Sequence, residues 1–547
     1  MFGRQSACIC GKTTLSLGGE DAAPVARFPD GSVRGARLEG LCVYRGIPYA
    51  LPPIGERRWR APVPMPRREG VHDALRPGAA CIQPPRRAGS IYAGEMAPTS
   101  EDCLTLDIWA PDGARDLPVF VWIHGGSFVW GSSSEPLYDG AALAARGMVV
   151  VSINYRLGVF GYLAHPELSA ESAHGVSGNY GLLDQIAALE WVKRNIAAVG
   201  GDPDNVTIAG ESAGALSVLY LMAAPAARGL FARAIAQSPY LISMPALKVK
   251  RQGHASAQSE GERLATALGA DGIKGMRAMD AQVLADDALG AGFLPIGTVD
   301  GHVLTDQLVD IFERGEQAKV PLLAGFNSGE LRSLPFLVPP LPDGADEYEA
   351  QIRLRYGDLA QQFLLLYPAS NIRESALAAM RDALYGWTVG KLAAAQKAAG
   401  QPFFLYYFDH GYPAAQAAGL HGFHGCELPY LFGTMDRVPP LWPVAPLTSQ
   451  EEALTRAIGD YWTAFARGGM PHADGLPWWP DHVPGGAYLH LAEEPRILRD
   501  LLPGMFALND AVVRRRRAAG DIPWNWNVGL AAPLMNDDPA GGHTDDD

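Results

Sequence analysis

The segment NVTIAGESAGAL, residues 205–216, constrains the fold more than any other stretch of the chain. It reads as a short apolar β run, then Gly210-x-Ser212-x-Gly214, then the start of an apolar helix. A serine at a strand-to-helix turn sits in a tight backbone. Glycines two residues to either side remove side chains that would collide with neighbouring elements. Such a turn presents the Ser212 hydroxyl at the carboxyl edge of a sheet. G-x-S-x-G occurs often by chance, so its weight here comes from the strand before it and the helix after it.

A sheet able to carry that turn is visible in the rest of the chain. Apolar runs of strand length occupy residues 117–123, 148–154 and 205–210, with further candidates at 320–325, 402–408 and 488–491. Near-continuous apolar runs are what parallel strands covered on both faces require. Residues 181–201 place Leu183, Ile186, Ala187, Trp191 and Ile196 at helical spacing and close on paired glycines. Amphipathic, Ala-rich stretches at 374–385 and 451–467 read as helices on or over the sheet. Near the start, Asp30-Gly31 between two alternating runs predicts an antiparallel hairpin. The expected class is α/β, with a large mostly parallel central sheet, helices on both faces and an N-terminal antiparallel hairpin.

A length of 547 residues alone would accommodate two to four domains. Sheet enzymes often grow by insertion instead, so the chain is divided into an N-terminal extension (1–22), one catalytic domain with helical insertions over the site (23–529), and a disordered acidic tail (530–547). Lys plus Arg number 45 against 59 Asp plus Glu, a net charge of −14 that disfavours nucleic acid or an anionic membrane as partner. The one basic run, Arg514 to Arg517, follows an apolar stretch and reads as the exposed end of a helix. No stretch of 18 apolar residues predicts a transmembrane segment. The first residues lack an uninterrupted apolar core and a small-residue cleavage site, so a cytoplasmic location is expected. Of the six cysteines, Cys8 and Cys10 form a pair with no second ligand cluster nearby. Neither metal nor cofactor is expected.

A second glycine-rich turn, His124-Gly125-Gly126-Ser127-Phe128, follows the strand at 117–123. It is either only a turn or, given its place upstream of Ser212, the loop whose N–H groups join that of Ala213 in an oxyanion hole. Losing one such donor typically costs roughly 2.7–4 kcal/mol of transition-state stabilisation.

Several stretches together resemble the type-B carboxylesterase family, which also includes the cholinesterases: YRGIPYALPPIGERRWRAP, EDCLTLDIWAP from Glu101, GNYGLLDQIAALEWVKRNIAAVGGDPDNVTIAGESAGA and LHGFHGCELPYLFG from Leu420. They spread from about Gly31 to Trp479. The resemblance implies an α/β-hydrolase fold and a serine carboxylesterase with Ser212 as nucleophile. Glu330 in AGFNSGE matches the family's acid, and His424 in GFHGCELPY its base, in the chain order Ser, Glu, His expected for this fold. It implies oxyanion donors at Gly126, Ser127 and Ala213. Ser127 departs from the family's usual glycine, as does Leu331 after the acid. His124 is read as shaping the glycine turn, His421 as a pocket-edge residue, and Glu211 as a buried acid with no catalytic role. Asp300 and Asp306 are the rival acids.

The family pattern also implies a Cys81–Cys103 disulfide, which would fit a periplasmic or secreted location and so conflicts with the absent leader. The loop between these cysteines carries no tryptophan to stack a quaternary ammonium, which argues against a cholinesterase preference. The implied substrate is a hydrophobic small-to-medium ester, with the apolar passages SPYLISMPAL and LRSLPFLVPPLP as candidate pocket walls. Carbamates, amides or a complex natural or xenobiotic ester are alternatives under the same mechanism. A non-catalytic binding protein is disfavoured, because all three triad positions are filled. A neutral His424 as base predicts an acidic limb of activity around pH ~6–7. Oligomeric state is not legible.

Overall fold

The computed structural model describes residues 23–94, 97–483, 485–520, 522–524 and 528–534. The N-terminal extension expected at 1–22 lies outside the described residues, as does the tail from 535 onward. Residues 530–534 of that expected tail are described. Residues Gly529–Ala531 form a turn, and Leu530 and Ala532 are buried in a cluster with Tyr356 and Phe363. Gly529 N–H also donates to the Tyr356 hydroxyl at 2.7 Å.

In chain order the strands are β1 (Val25–Phe28), β2 (Gly31–Arg34), β3 (Ala36–Leu38), β4 (Leu41–Pro48), β5 (Val71–Asp73), β6 (Ala80–Cys81), β7 (Thr99–Ser100) and β8 (Thr105–Pro111). They continue as β9 (Leu117–Ile123), β10 (Val149–Ile153), β11 (Gly201–Glu211), β12 (Arg233–Gln237), β13 (Leu322–Asn327), β14 (Phe403–Phe408), β15 (Ala487–Leu491) and β16 (Pro495–Arg499). Eleven of them form one sheet in the order β16-β15-β14-β13-β12-β11-β9-β10-β8-β4-β3. From β10 through β15 every pairing is parallel, whereas β8, β4, β3 and β16 add antiparallel edges.

Burial explains the apolar runs. Val119, Val121 and Ile123 of β9 pack into one core while Phe120 and Trp122 pack into another on the opposite face. Neither face of the central sheet meets water, so both alternating sets must be apolar. The helix Tyr180–Asn195 contributes Leu182, Ile186, Leu189 and Trp191 to the first core. It continues as a tighter turn, Ile196–Val199, and stops at Gly200, whose φ of +80° suits glycine. The hairpin forms, but Phe28 pairs with Gly31, so its turn centres on Pro29-Asp30, one residue earlier than the sequence suggests. It joins β5 in a separate three-stranded sheet.

The expected Cys81–Cys103 bridge is not formed; both are buried free cysteines. A hydrogen bond with Cys81, then burial, pushes the Cys103 thiol well up, and Cys81 Sγ accepts the Leu157 N–H at 3.2 Å.

One buried ion pair ties the loop after β10 to the helix Tyr180–Asn195. Arg156 donates from Nε and Nη2 to both oxygens of Asp184 at 2.7 Å, and its backbone N–H reaches the same carboxylate at 3.1 Å. A further bond runs from Arg156 Nη1 to the Arg60 carbonyl at 2.8 Å. The side chains are only 2% and 0% exposed. Removing one partner strands the other charge in the interior. Asp184→Ala is therefore expected to lower unfolding free energy by about 3–5 kcal/mol. Urea denaturation checks this, and a loss under ~1 kcal/mol would mean that the arginine finds other partners.

Candidate active site

β11 ends at Glu211 and a helix starts at Ala213, leaving Ser212 to turn the chain at φ 58°, ψ −121°. That conformation is rare for a residue with a Cβ. It persists because the surroundings leave no alternative. A Cβ on Gly214 would lie 2.1 Å from the Ile123 carbonyl oxygen, and one on Gly210 would lie 2.5 Å from Gly214 backbone. The Ser212 N–H is tied to the Gln237 carbonyl at 2.9 Å, at the end of β12.

The glycine-rich loop after β9 lies directly against this turn, since a Cβ on Gly125 would meet the Glu211 carbonyl at 2.6 Å and Ser212 Cβ at 3.3 Å. Gly126, Ser127 and Phe128 have φ of 105°, 57° and 58°, and the Gly126 carbonyl accepts from Val129 and Trp130. Among the described residues the N–H groups of Gly126, Ser127 and Ala213 donate to no protein acceptor. His124 shapes this turn, with Nδ1 bonded to the Gly125 carbonyl at 2.9 Å and its ring stacked on Tyr155 at 4.6 Å. Burial pulls its pKa down to about 4, so it is neutral near pH 7.

Glu330 follows β13 in a short turn, and its side chain is fully buried. Oε1 accepts from the Ser238 hydroxyl at 2.6 Å and from Asn327 N–H at 2.8 Å. Oε2 bonds His424 Nδ1 at 2.5 Å. The loop of His424 is stitched to the same segment: Gly329 N–H donates to Gly422, and the Asn327 amide to the Phe423 carbonyl. The other ring nitrogen, Nε2, faces Glu211 Oε1 at 3.1 Å. Among the described residues the Ser212 hydroxyl makes no hydrogen bond with His424. The imidazole therefore lies between two carboxylates, one of them on the residue beside Ser212.

Burial pulls the His424 pKa down, but Glu211 and Glu330 outweigh it and push the group up to about 9. Burial pushes Glu211 up to about 8 against the pull of His424. A third acid, Glu427, is raised by burial, opposed by the Asn327 and Gln237 amides that donate to it at 2.6 and 2.9 Å. The rival acids sit elsewhere. Asp300 Oδ1 caps the N–H groups of His302, Val303 and Leu304, and Asp306 pairs with Arg314. His421 is exposed, at φ 52°. Tyr385, carried on a π-helical segment Asp382–Gly386, sets its ring 5.9 Å from His424 and 6.4 Å from Tyr240 of the SPYLISMPAL passage. Phe336 of the LRSLPFLVPPLP passage points outward, 67% exposed.

Sequence reasoning missed Ser238, Asn327, Glu427 and Tyr385. Asn327 and Glu427 stand inside the stretches that carry the family resemblance; nothing local marks Ser238 or Tyr385. Among the described residues no group of three or more His, Cys, Asp or Glu is disposed to hold a metal ion, and no helix is long and apolar enough to cross a membrane.

The sequence pattern of the carboxylesterase family matches residues 22–503. The chain belongs to that family. As a carboxylesterase it is a serine carboxylic-ester hydrolase of the α/β-hydrolase fold. It is 37% identical over 497 residues to fumonisin B1 esterase of Sphingopyxis macrogoltabida, covering 86% of this chain and 87% of that one. It is 36% identical over 482 residues to para-nitrobenzyl esterase of Bacillus subtilis (strain 168), covering 86% and 95%. A solved PNB esterase superposes with a TM-score of 0.76 at 32% identity, over 89% of this chain and 99% of its own.

The buried bond from Ser238 to Glu330 is charge-assisted. Ser238→Ala is expected to cost roughly 1.5–3 kcal/mol of stability. Thermal or urea unfolding tests this, and an unchanged midpoint would show that Oε1 is satisfied by Asn327 alone.

Proposed function

We propose that this carboxylesterase works through an acyl-enzyme on Ser212, with His424 as general base and acid and Glu330 as the group that orients it. The observation that carries the reading is the Nδ1–Oε2 bond of His424 and Glu330, which leaves Nε2 directed to the turn bearing Ser212. With Nδ1 committed to the carboxylate, Nε2 is the nitrogen that accepts a proton. His424 takes the Ser212 proton as Oγ attacks the ester carbonyl. The new oxyanion is received by the unpaired N–H groups of Gly126, Ser127 and Ala213. The protonated imidazole returns its proton to the leaving alcohol; water then repeats the attack and frees the acid. The contact between Nε2 and Glu211 belongs to the resting state and opens when Nε2 turns to the hydroxyl, since hydrogen bonds at such sites tighten only with substrate bound.

The substrates proposed are hydrophobic small-to-medium esters. Tyr240 and Tyr385 give the region beside His424 an aromatic wall. The name of the Bacillus subtilis relative supports an aromatic alcohol such as a nitrobenzyl group. Turnover of an ester series against matched anilides and carbamates separates this from the alternative of amide or carbamate preference.

Ser212→Ala is expected to reduce kcat on the order of 10⁴-fold or more with an unfolding midpoint close to the parent, and Glu330→Gln by about 10⁴-fold. Appreciable residual turnover in the first, with the fold intact, would remove Ser212 as nucleophile.

The base must be neutral, and its carboxylate neighbours favour the charged form, so kcat/KM rises with pH through a limb above the ordinary imidazole value of ~6.5. This is higher than the sequence suggests. Each of His424 and Glu211 shifts the other's pKa through its charge, so the limb reflects both groups. Glu211→Gln removes one carboxylate, lowers the His424 pKa and moves the limb towards acid. A limb that stays in place would show that Glu211 does not act on the imidazole.

A further inference from the structure

A ring of hydrogen bonds outside the triad closes on the main chain of His424. The hydroxyls of Tyr92 and Ser333 lie 2.7 Å apart, and the Tyr92 hydroxyl is 2.9 Å from the His424 carbonyl oxygen. The His424 N–H in turn donates to Ser333 Oγ at 3.3 Å. A phenol has one proton to give. Given to the carbonyl, which can only accept, it leaves Tyr92 Oη free to accept from the Ser333 hydroxyl, whose other acceptor is the Glu330 carbonyl oxygen at 3.5 Å. Ser333 is the last residue of the turn that begins at Glu330. The ring therefore ties both the N–H and the C=O of the residue carrying the imidazole to the segment carrying the acid. Tyr92 arrives from a different part of the chain, the loop before Thr99. Its ring is seated edge-on against Trp442 at 6.0 Å, and Trp442 packs edge-on against Phe423, next to His424.

We propose that Tyr92 and Ser333 are positioning residues that act as one unit, holding the backbone of His424 so that its imidazole meets Glu330 on one side and can turn to Ser212 on the other. This rests on the roles given above to His424 and Glu330. Neither hydroxyl touches the imidazole or Ser212, so both act through the placement of His424. A general base misplaced by a fraction of an ångström loses rate without losing substrate affinity.

The test uses the full chain, with para-nitrophenyl acetate as substrate, and compares Tyr92→Phe, Ser333→Ala, the double variant and Ser333→Thr. Tyr92→Phe keeps the ring and its packing on Trp442. It is expected to lower kcat about 5- to 30-fold with KM within about twofold. Ser333→Ala should do the same, and the double variant should be no worse than about twofold below either single, because opening the ring once loses what it holds. Ser333→Thr restores a hydroxyl and should return kcat to within about threefold of the parent. Losses that multiply in the double variant, a rise in KM at constant kcat, or single variants with parental kcat would each overturn the proposal. Fluorescence unfolding separates a fall in kcat from loss of folded protein. If Ser212→Ala and Glu330→Gln abolish turnover while Tyr92→Phe is parental, this inference fails and the triad stands. If Ser212→Ala retains turnover, the triad itself fails.

Discussion

The close approach of the Ser212 turn to β9 is the constraint on which the rest of the site depends. The turn reverses the chain between β11 and the helix Ala213–Ala223 in a single residue. It can do so only if Gly210 and Gly214 let the backbone press against Ile123 and His124 at distances that a methyl group would not survive. Since Gly125 is wedged in turn against Glu211 and Ser212, the Ser212 turn and the loop of candidate oxyanion donors are effectively one packed object. Their relative position is set by backbone contact rather than by flexible side chains. Interiors at this density transmit small displacements instead of absorbing them. A change that shifts β9 therefore also shifts the Ser212 turn and the glycine-rich loop together.

The second organising feature is electrostatic. Three carboxyl groups, of Glu211, Glu330 and Glu427, are buried close to one imidazole. Like charges this near one another, out of water, cannot all be accommodated without protons or hydrogen-bond donors. The protein supplies both. Ser238 and Asn327 serve Glu330, Asn327 and Gln237 serve Glu427, and His424 lies between Glu330 and Glu211. Asn327 links the two acids, giving its N–H to one and its amide to the other. The two flanking carboxylates favour the charged imidazole and push the His424 pKa above that of free imidazole.

Much of this was legible in the sequence, and the misses follow a physical rule. β9, β10, β13 and β14 were visible because parallel strands buried on both faces must be apolar throughout. β12 (Arg233–Gln237) is short and alanine-rich, and β8 carries a buried Asp107, satisfied by the Gly46 N–H, so neither reads as a strand by hydrophobicity. The turn of Ser212 was legible because its geometry is local, whereas Glu330 was singled out by the resemblance of AGFNSGE to the family's motif. Ser238 was not, because its bond to Glu330 joins residues 92 positions apart and no sequence pattern encodes that meeting. The same holds for Tyr92, which reaches His424 across 332 positions. The cysteine pair shows the opposite error. Family likeness brought Cys81 and Cys103 together correctly in space, but proximity does not determine oxidation state.

Backbone strain gathers where these threads meet. Eleven non-glycine residues among those described have positive φ, and four of them, Ser127, Phe128, Ser212 and Ser238, belong to the turn after β11, the glycine loop or the hydrogen-bond partners of Glu330. A left-handed conformation costs a residue with a side chain on the order of 1–2 kcal/mol. Three of the four are serines, small enough for tight turns. Ser127 occupies such a conformation at φ 57°, so this chain accepts the strain of a Cβ that glycine would avoid. The burial of β9, β11 and β12 on both faces offsets that cost. Strain of this kind fixes the direction of an N–H more firmly than a relaxed loop would, and a donor aimed in advance needs no reorganisation when charge develops on the carbonyl oxygen.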